Sequence, residues 1–374
     1  MILDLSDQAF RCIMQDRKLA LPIRWDGSDF EKTVDNHLSY YIEKIREKAL
    51  KERGKTDLHI EADDLEKIKA AIVDAICNYL NGLPVIAYYK LRIALELLIL
   101  QPLKIYQKSV TEIISSYPQD DPLHLFRAVR VEDNKPYPRE RIFHTPYNLR
   151  SKVSTNRYSI AGHPSLYLGT SLELCCSELH TDPMRELTLA SAFRLDRNIE
   201  NTIKRVQIIE LGIKPQDFIQ SDNETARYLQ QGTGRTVSDE LIRKSYVKEA
   251  YLLWYPLIAA CSYIRVNKKD PFAAEYIIPQ LLMQWIRYES KKGRNIFDKQ
   301  LFGIRYFSCA SVKASDMGFN YVFPTSGERI SDNSPYCKML ANAFYLTEPI
   351  YVHENASYSE CEQVLNNHNF QKII

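Results

Sequence analysis

Residues 117–122, Tyr-Pro-Gln-Asp-Asp-Pro, separate two textures in this 374-residue chain. Ahead of them apolar residues recur at helical spacing. Val34, Leu38, Tyr41, Ile42, Ile45 and Leu50 do so between Asp29 and Glu52, and Leu65, Ile68, Ala71, Ile72, Ala75, Ile76 and Tyr79 do so before Asn81-Gly82. A period near 3.6 predicts amphipathic helices, and Asn-Gly ends one. Further helices are expected over 84–106 and 109–117, with the charged 51–64 connection solvated. Beyond the break come short β-like runs at 123–131, 165–169, 188–195, 206–211, 304–307 and 321–323. Helical patterns at 171–181, 247–264 and 278–291 lie among them. Strands and helices without a regular βαβ rhythm predict an α+β fold. Two domains follow: an all-helical one over 1–120 and an α+β one over 121–374.

Charge excludes several classes of partner. Lys and Arg number 49 against 47 Asp and Glu, a net charge of +2. So small an excess gives no reason to expect a nucleic-acid or membrane-surface partner. No signal peptide is apparent at the N-terminus, and no apolar run reaches the roughly 18 residues of a spanning helix. The eight cysteines are scattered without a Cys-x-x-Cys, which suits reduced thiols and a cytoplasmic location. Neither a Gly-x-Gly-x-x-Gly nor a phosphate-binding loop of the Gly-x4-Gly-Lys-Ser/Thr type is present.

Chemistry concentrates between Asn156 and Glu178. Arg157 ends a stretch, 127–157, that holds eight Arg or Lys against three Asp or Glu. A guanidinium offers a planar, permanently charged fork that suits a pyrophosphate, although a basic loop is by default simply solvated. Tyr167 sits in Ser-Leu-Tyr-Leu-Gly, where alternation sends it to the face opposite Leu166 and Leu168. It could stack on a nicotinamide or bond a ribose; half-buried packing is the bland alternative. Glu178 lies beside the apolar stripe of Leu172, Cys175, Cys176 and Leu179. A carboxylate there could stabilise the oxocarbenium-like state formed when a nicotinamide–ribose bond breaks, or accept from a 2′-hydroxyl. Glu173 and Glu186 compete for that role, and a lone Glu is by default a surface residue. Cys175-Cys176 with His180 has helical metal-ligand spacing but lacks a second half, so the cysteines are read as core and no metal is expected.

The order of these residues resembles the RES family, named for its Arg, Glu and Ser. The resemblance spans roughly residues 122–353. Its patches are Leu125-Phe-Arg127, Arg157 to Glu178, and Glu275-Tyr-Ile-Ile-Pro-Gln280 continuing to Ser308 and Asn320-Tyr-Val-Phe-Pro324. It implies an ADP-ribosyltransferase-like fold and NAD as a consumed substrate, whose nicotinamide departs. Arg157, Tyr167 and Glu178 then form the site, Ser308 positions ribose or amide, and Arg127 helps shape and bind; Ser311 is the alternative serine. The acceptor is phosphate or water, with protein ADP-ribosylation as the second reading and a non-catalytic nucleotide-binding scaffold as the third. Family members often act as toxins restrained by an Xre-like antitoxin. The helical region is similar to the HEPN-like extensions of longer members. Arg53 and His59 fit the spacing of the HEPN nuclease signature, although regulation, partner binding or homo-oligomer formation is the better expectation. Departures from the family are Asn156 where a glycine often stands, and extra sequence between Thr181 and Pro279.

Overall fold

The structure, a computed structural model, describes residues 1–51, 58–100, 107–109, 124–180, 186–196, 206–219, 245–267, 269–292, 300–352 and 356–373. The described parts divide into two compact units. One lies within Met1–Tyr106, Ile213–Arg227 and Thr236–Trp285, the other within Gln107–Gly212, Tyr228–Arg235 and Ile286–Ile374.

The chain begins with β1 (Ile2–Leu5), α1 (Asp7–Met14) and α2 (Phe30–Lys51), then continues through β2 (Leu58–Glu61), α3 (Ala62–Leu80) and α4 (Pro84–Leu100). The periodic stripe of α3 is buried as its spacing requires: Leu65, Ile68, Ala71, Ile72, Ala75 and Ile76 all lie inside. Ser6 caps α1, its hydroxyl accepting from the Ala9 amide at 3.1 Å. The expectation of an all-helical region fails at β1 and β2, which pair antiparallel with Leu3 opposite Ile60 and Leu5 opposite Leu58. Leu3, Leu5, Leu58 and Ile60 turn inward while Asp4, His59 and Glu61 turn out. A four-residue strand has too few alternations to stand out from the charges around it, which is why 51–64 reads as a solvated loop.

Next the chain supplies β3 (Gln107–Ser109), β4 (Leu125–Arg130), β5 (Ser165–Gly169), α5 (Leu172–Leu179), β6 (Thr188–Leu195) and β7 (Val206–Leu211). Residues 107–109 are therefore strand where the helix over 109–117 was expected to begin; 110–117 and the expected boundary at 117–122 lie outside the described residues. Helices α6 (Ser245–Ala260) and α7 (Ile277–Lys292) follow. The last elements are β8 (Gln300–Phe307), β9 (Phe319–Pro324), α8 (Lys338–Ala343), β10 (Phe344–Leu346), β11 (Ile350–Tyr351) and α9 (Tyr358–Asn366).

The first unit takes α6, which the sequence assigns to the second domain. Every residue from Ala250 to Cys261 is buried, and α6 packs on α3 and β2. A helix apolar all round must sit inside a core, but its sequence does not say which one. Three tyrosine hydroxyls secure this core: Tyr41 donates to the Leu252 carbonyl, Tyr251 to Ile213 and Tyr255 to Leu19.

The second unit is built on a nine-stranded sheet in the order β10-β6-β4-β5-β9-β8-β7-β3, with β11 also pairing β6. Among the described residues of this sheet only the β7–β8 pair is parallel. Helix α5 packs on β4 and β5, and α9 packs on α5 and β6. The architecture is α+β, as expected. Among the described residues no helix is long and apolar enough to cross a membrane.

Candidate functional site

The strand registers decide which side chains meet. Phe126 of β4 lies opposite Gly169 of β5, and Phe126 joins the core cluster of Leu172, Cys175 and Cys176 from α5. Directly paired residues share a sheet face, and residues two apart along a strand share it as well. Gly169 and Tyr167 therefore face α5. Gly169 pairs with Asn320 of β9, which in turn pairs with Tyr306 of β8. Tyr167, Asn320 and Tyr306 thus occupy one face on three neighbouring strands. At Gly169 a Cβ would lie 2.8 Å from the Cys175 sulfur, so only glycine lets α5 come this close.

Glu178 stands on α5 over this face. The Asn320 side-chain amide donates to its Oε1 at 2.6 Å. Both ends of the helix that carries it are fixed. Ser171 caps the start through the Leu174 amide, and Glu362 of α9 accepts from the Leu172 amide at 2.6 Å. At the other end Arg130 donates to the Leu179 and His180 carbonyls, each at 2.7 Å, and forms an ion pair with Glu186. Orphan helix-end groups are thereby satisfied by charged partners, which suit the helix dipole. Glu186 is thus the ion-pair partner of the arginine that caps α5, while Glu173 is exposed on α5.

Arg157 is buried in a tight turn closed by paired Asn156 and Ser159 backbone bonds. Tyr158, next in that turn, packs its ring on Tyr306 with centroids 4.7 Å apart. Tyr167 reaches the same turn: its hydroxyl accepts from the Tyr158 amide at 3.3 Å and lies 2.8 Å from the Ser159 hydroxyl. Ser159 donates onward to Ser165, so Tyr167 is the donor to Ser159. Its hydroxyl is thus a brace for the Arg157 turn.

The Tyr306 hydroxyl links the parts electrostatically. Burial first, then the charge of Glu178, raises its pKa well above the ordinary value, with smaller upward contributions from Tyr167 and Tyr158. Arg157 acts in the opposite direction. A carboxylate and a guanidinium therefore act on one buried group while being held by separate scaffolds. That arrangement suits a ligand with an anionic portion and a centre that becomes positive.

Arg127 sits one residue from Phe126 and so on the other sheet face. Its Nη1 donates to the Tyr167 carbonyl at 3.3 Å, fastening β5, and its buried Nε has no hydrogen-bond partner among the described residues. Burial, opposed partly by Cys175, lowers its pKa to about 10, so it remains charged at neutral pH. Ser308 is fully buried just past the end of β8, where its hydroxyl accepts from the Ala310 amide at 3.1 Å. Ser311 is exposed and accepts from Ala314 at 3.0 Å. Asn320, which the sequence places in a resembling patch without a role of its own, is the residue on Glu178. The signal was a lone amide within the apolar run Phe-Asn-Tyr-Val-Phe. Tyr158, Ser159 and Tyr306 carried no comparable mark among 24 tyrosines and many serines.

Cys175 and Cys176 are core residues. Burial pushes the Cys175 thiol upward and the Cys176 thiol to about 11, so neither is a ready thiolate. Among the described residues no group of three or more His, Cys, Asp or Glu gathers where a metal could be held. Of the nuclease-like pair, Arg53 lies outside the described residues. His59 is an exposed residue of β2, its Nδ1 2.6 Å from Asp4.

No protein-family description matches the chain, and no solved structure matches it. Among curated proteins it is similar to one from Bacillus subtilis (strain 168) named "Putative toxin YopC". The two are 29% identical over 343 residues, covering 89% of this chain and 68% of the relative.

Proposed function

We propose that the chain is an NAD-consuming enzyme of the RES type that cleaves the nicotinamide–ribose bond and acts as a toxin. The observation that supports it most is geometric: Asn320 holds the Glu178 carboxylate over the sheet face that also carries Tyr167, whose hydroxyl braces the turn of Arg157. In this reading Arg157 binds the pyrophosphate and Glu178 faces the anomeric carbon. As nicotinamide leaves with the bonding electron pair, positive charge grows on the ribosyl C1 atom, and the carboxylate lowers the energy of that state. Asn320 donates to Glu178 without adding charge, so it orients the carboxylate. Phosphate or water then attacks C1 to complete the transfer. Arg127 supplies an unused Nε donor beside β5, and Ser308 supports the turn beyond Tyr306. Similarity to a protein named as a toxin supports the biological role, which implies an antitoxin partner.

The test is to incubate the purified full chain with NAD, with and without phosphate, and weigh the ADP-ribosyl product. Free ADP-ribose, or its phosphate adduct in phosphate buffer, is the expected result. ADP-ribose bound to protein would replace this reading by protein modification. Intact NAD that nonetheless binds would leave a nucleotide-binding scaffold.

A further inference from the structure

Among the described residues, six of the sixteen exposed large apolar side chains fall within fourteen consecutive residues: Leu80, Leu83, Val85, Ile86, Tyr89 and Ile93. The last four lie on α4 at positions i, i+1, i+4 and i+8, which is one face of a helix. Val85 is 67% exposed and Tyr89 58%. The opposite face is already used, since Ala87, Leu91, Ala94, Leu95 and Leu98 are buried and α4 packs on α3. Helix α4 therefore has two apolar faces, of which one is covered. A helix apolar on all sides is ordinarily a buried helix.

We infer that this face is the interface of a homodimer, formed by α4 against α4 of a second copy about a two-fold axis. Three observations select that occupant. The exposed stripe amounts to roughly 600 Å² per copy, approaching the ~800 Å² that each partner contributes to a standard interface; half-buried neighbours such as Leu97 would supply the remainder. The charges bordering it are already compensated, Lys90 by Asp74 at 2.8 Å and Arg92 by Glu96 at 2.6 Å. A face without net charge offers nothing to select a partner of opposite charge, yet it is complementary to itself, as a two-fold contact requires. It also lacks the Lys- and Arg-rich border of a helix that lies on a membrane. The inference stands apart from the catalytic reading and survives or fails without it.

The experiment is light scattering coupled to gel filtration on the full chain across micromolar concentrations, with the double variant Val85→Glu/Tyr89→Glu beside it. Both substitutions are at exposed helix positions, and Glu is a good helix former, so thermal melting and circular dichroism should be unchanged. The expected result is a dimer for the wild type and a monomer for the double variant, with Val266→Glu, exposed but off this face, remaining dimeric. A Tyr89→Cys variant, if the double variant proves misfolded, should cross-link into covalent dimers under mild oxidation by a disulfide reagent. A monomeric wild type, a dimer indifferent to the double substitution, or a stripe that binds anionic vesicles as a monomer would each overturn the inference.

Discussion

Buried polar groups in the two units serve different ends. In the first unit the Tyr41, Tyr251 and Tyr255 hydroxyls each end on a backbone carbonyl, and the half-buried His37 reaches the Tyr255 hydroxyl at 2.8 Å. These groups close the core upon itself. In the second unit the Asn320 amide donates to the Glu178 carboxylate, and the Tyr167 hydroxyl and the Tyr158 ring hold the turn that carries Arg157. Burial and hydrogen bonding alike accompany both uses. Among these groups the Asn320 amide ends on a charged side chain, whereas the three tyrosine hydroxyls of the first unit end on backbone.

The severest test of this division is to express residues 121–374 alone. Helix α6 would then lose α3 and β2, exposing a helix that is buried on every side. The fragment is expected to be insoluble or to lack a cooperative melt; a soluble, cooperatively folding fragment would refute the division of the chain.

Substitution at the site should separate activity from stability. Glu178→Gln keeps the Asn320 contact geometry in outline but removes the charge, and turnover is expected to fall ~10²–10³-fold with little change in melting temperature. Arg157→Ala should weaken NAD binding by about one to two orders of magnitude, the loss of roughly 1.5–3 kcal/mol in charge-assisted bonding. Arg157→Lys should restore only part of it, because a point charge cannot bind two oxygens as a fork does. Calorimetric titration checks both; unchanged affinity in Arg157→Ala would remove that residue from the site. Asn320→Ala releases Glu178 without deleting it, so turnover is expected to fall about tenfold, in line with a lost hydrogen bond to a charged group. An unaltered rate would reduce Asn320 to packing.

Tyr41→Phe provides the converse and the smallest effect. Removing the hydroxyl leaves the Leu252 carbonyl without that donor, at a cost of about 1–2 kcal/mol in denaturant stability, while turnover stays at the wild-type rate. A catalytic defect in Tyr41→Phe would break the contrast between the two units.

Local order was legible in the sequence where period was long enough to read. Helices α2, α3, α5, α6 and α7 and strands β5, β6 and β7 lie close to where hydrophobic spacing puts them. The β1–β2 pair was not legible, because its partners are more than fifty residues apart and each strand has four residues. The unit that receives α6 was not legible either, since uniform apolarity gives burial without direction. Of the candidate site, Arg157, Tyr167 and Glu178 stand in one contiguous stretch, so a single stretch of sequence marks all three. Asn320 and Tyr306 come from strands that register alone brings beside β5, 142 residues separating Asn320 from Glu178. Nothing local to those two residues encodes that pairing.

Which bond of NAD breaks is the most direct test of the central claim. The full chain is incubated with NAD and the products are separated by chromatography over time, against a blank without protein. Free nicotinamide is expected to appear mole for mole with NAD loss, and no AMP. Cleavage at the pyrophosphate, yielding AMP, or no loss of NAD at all would contradict it.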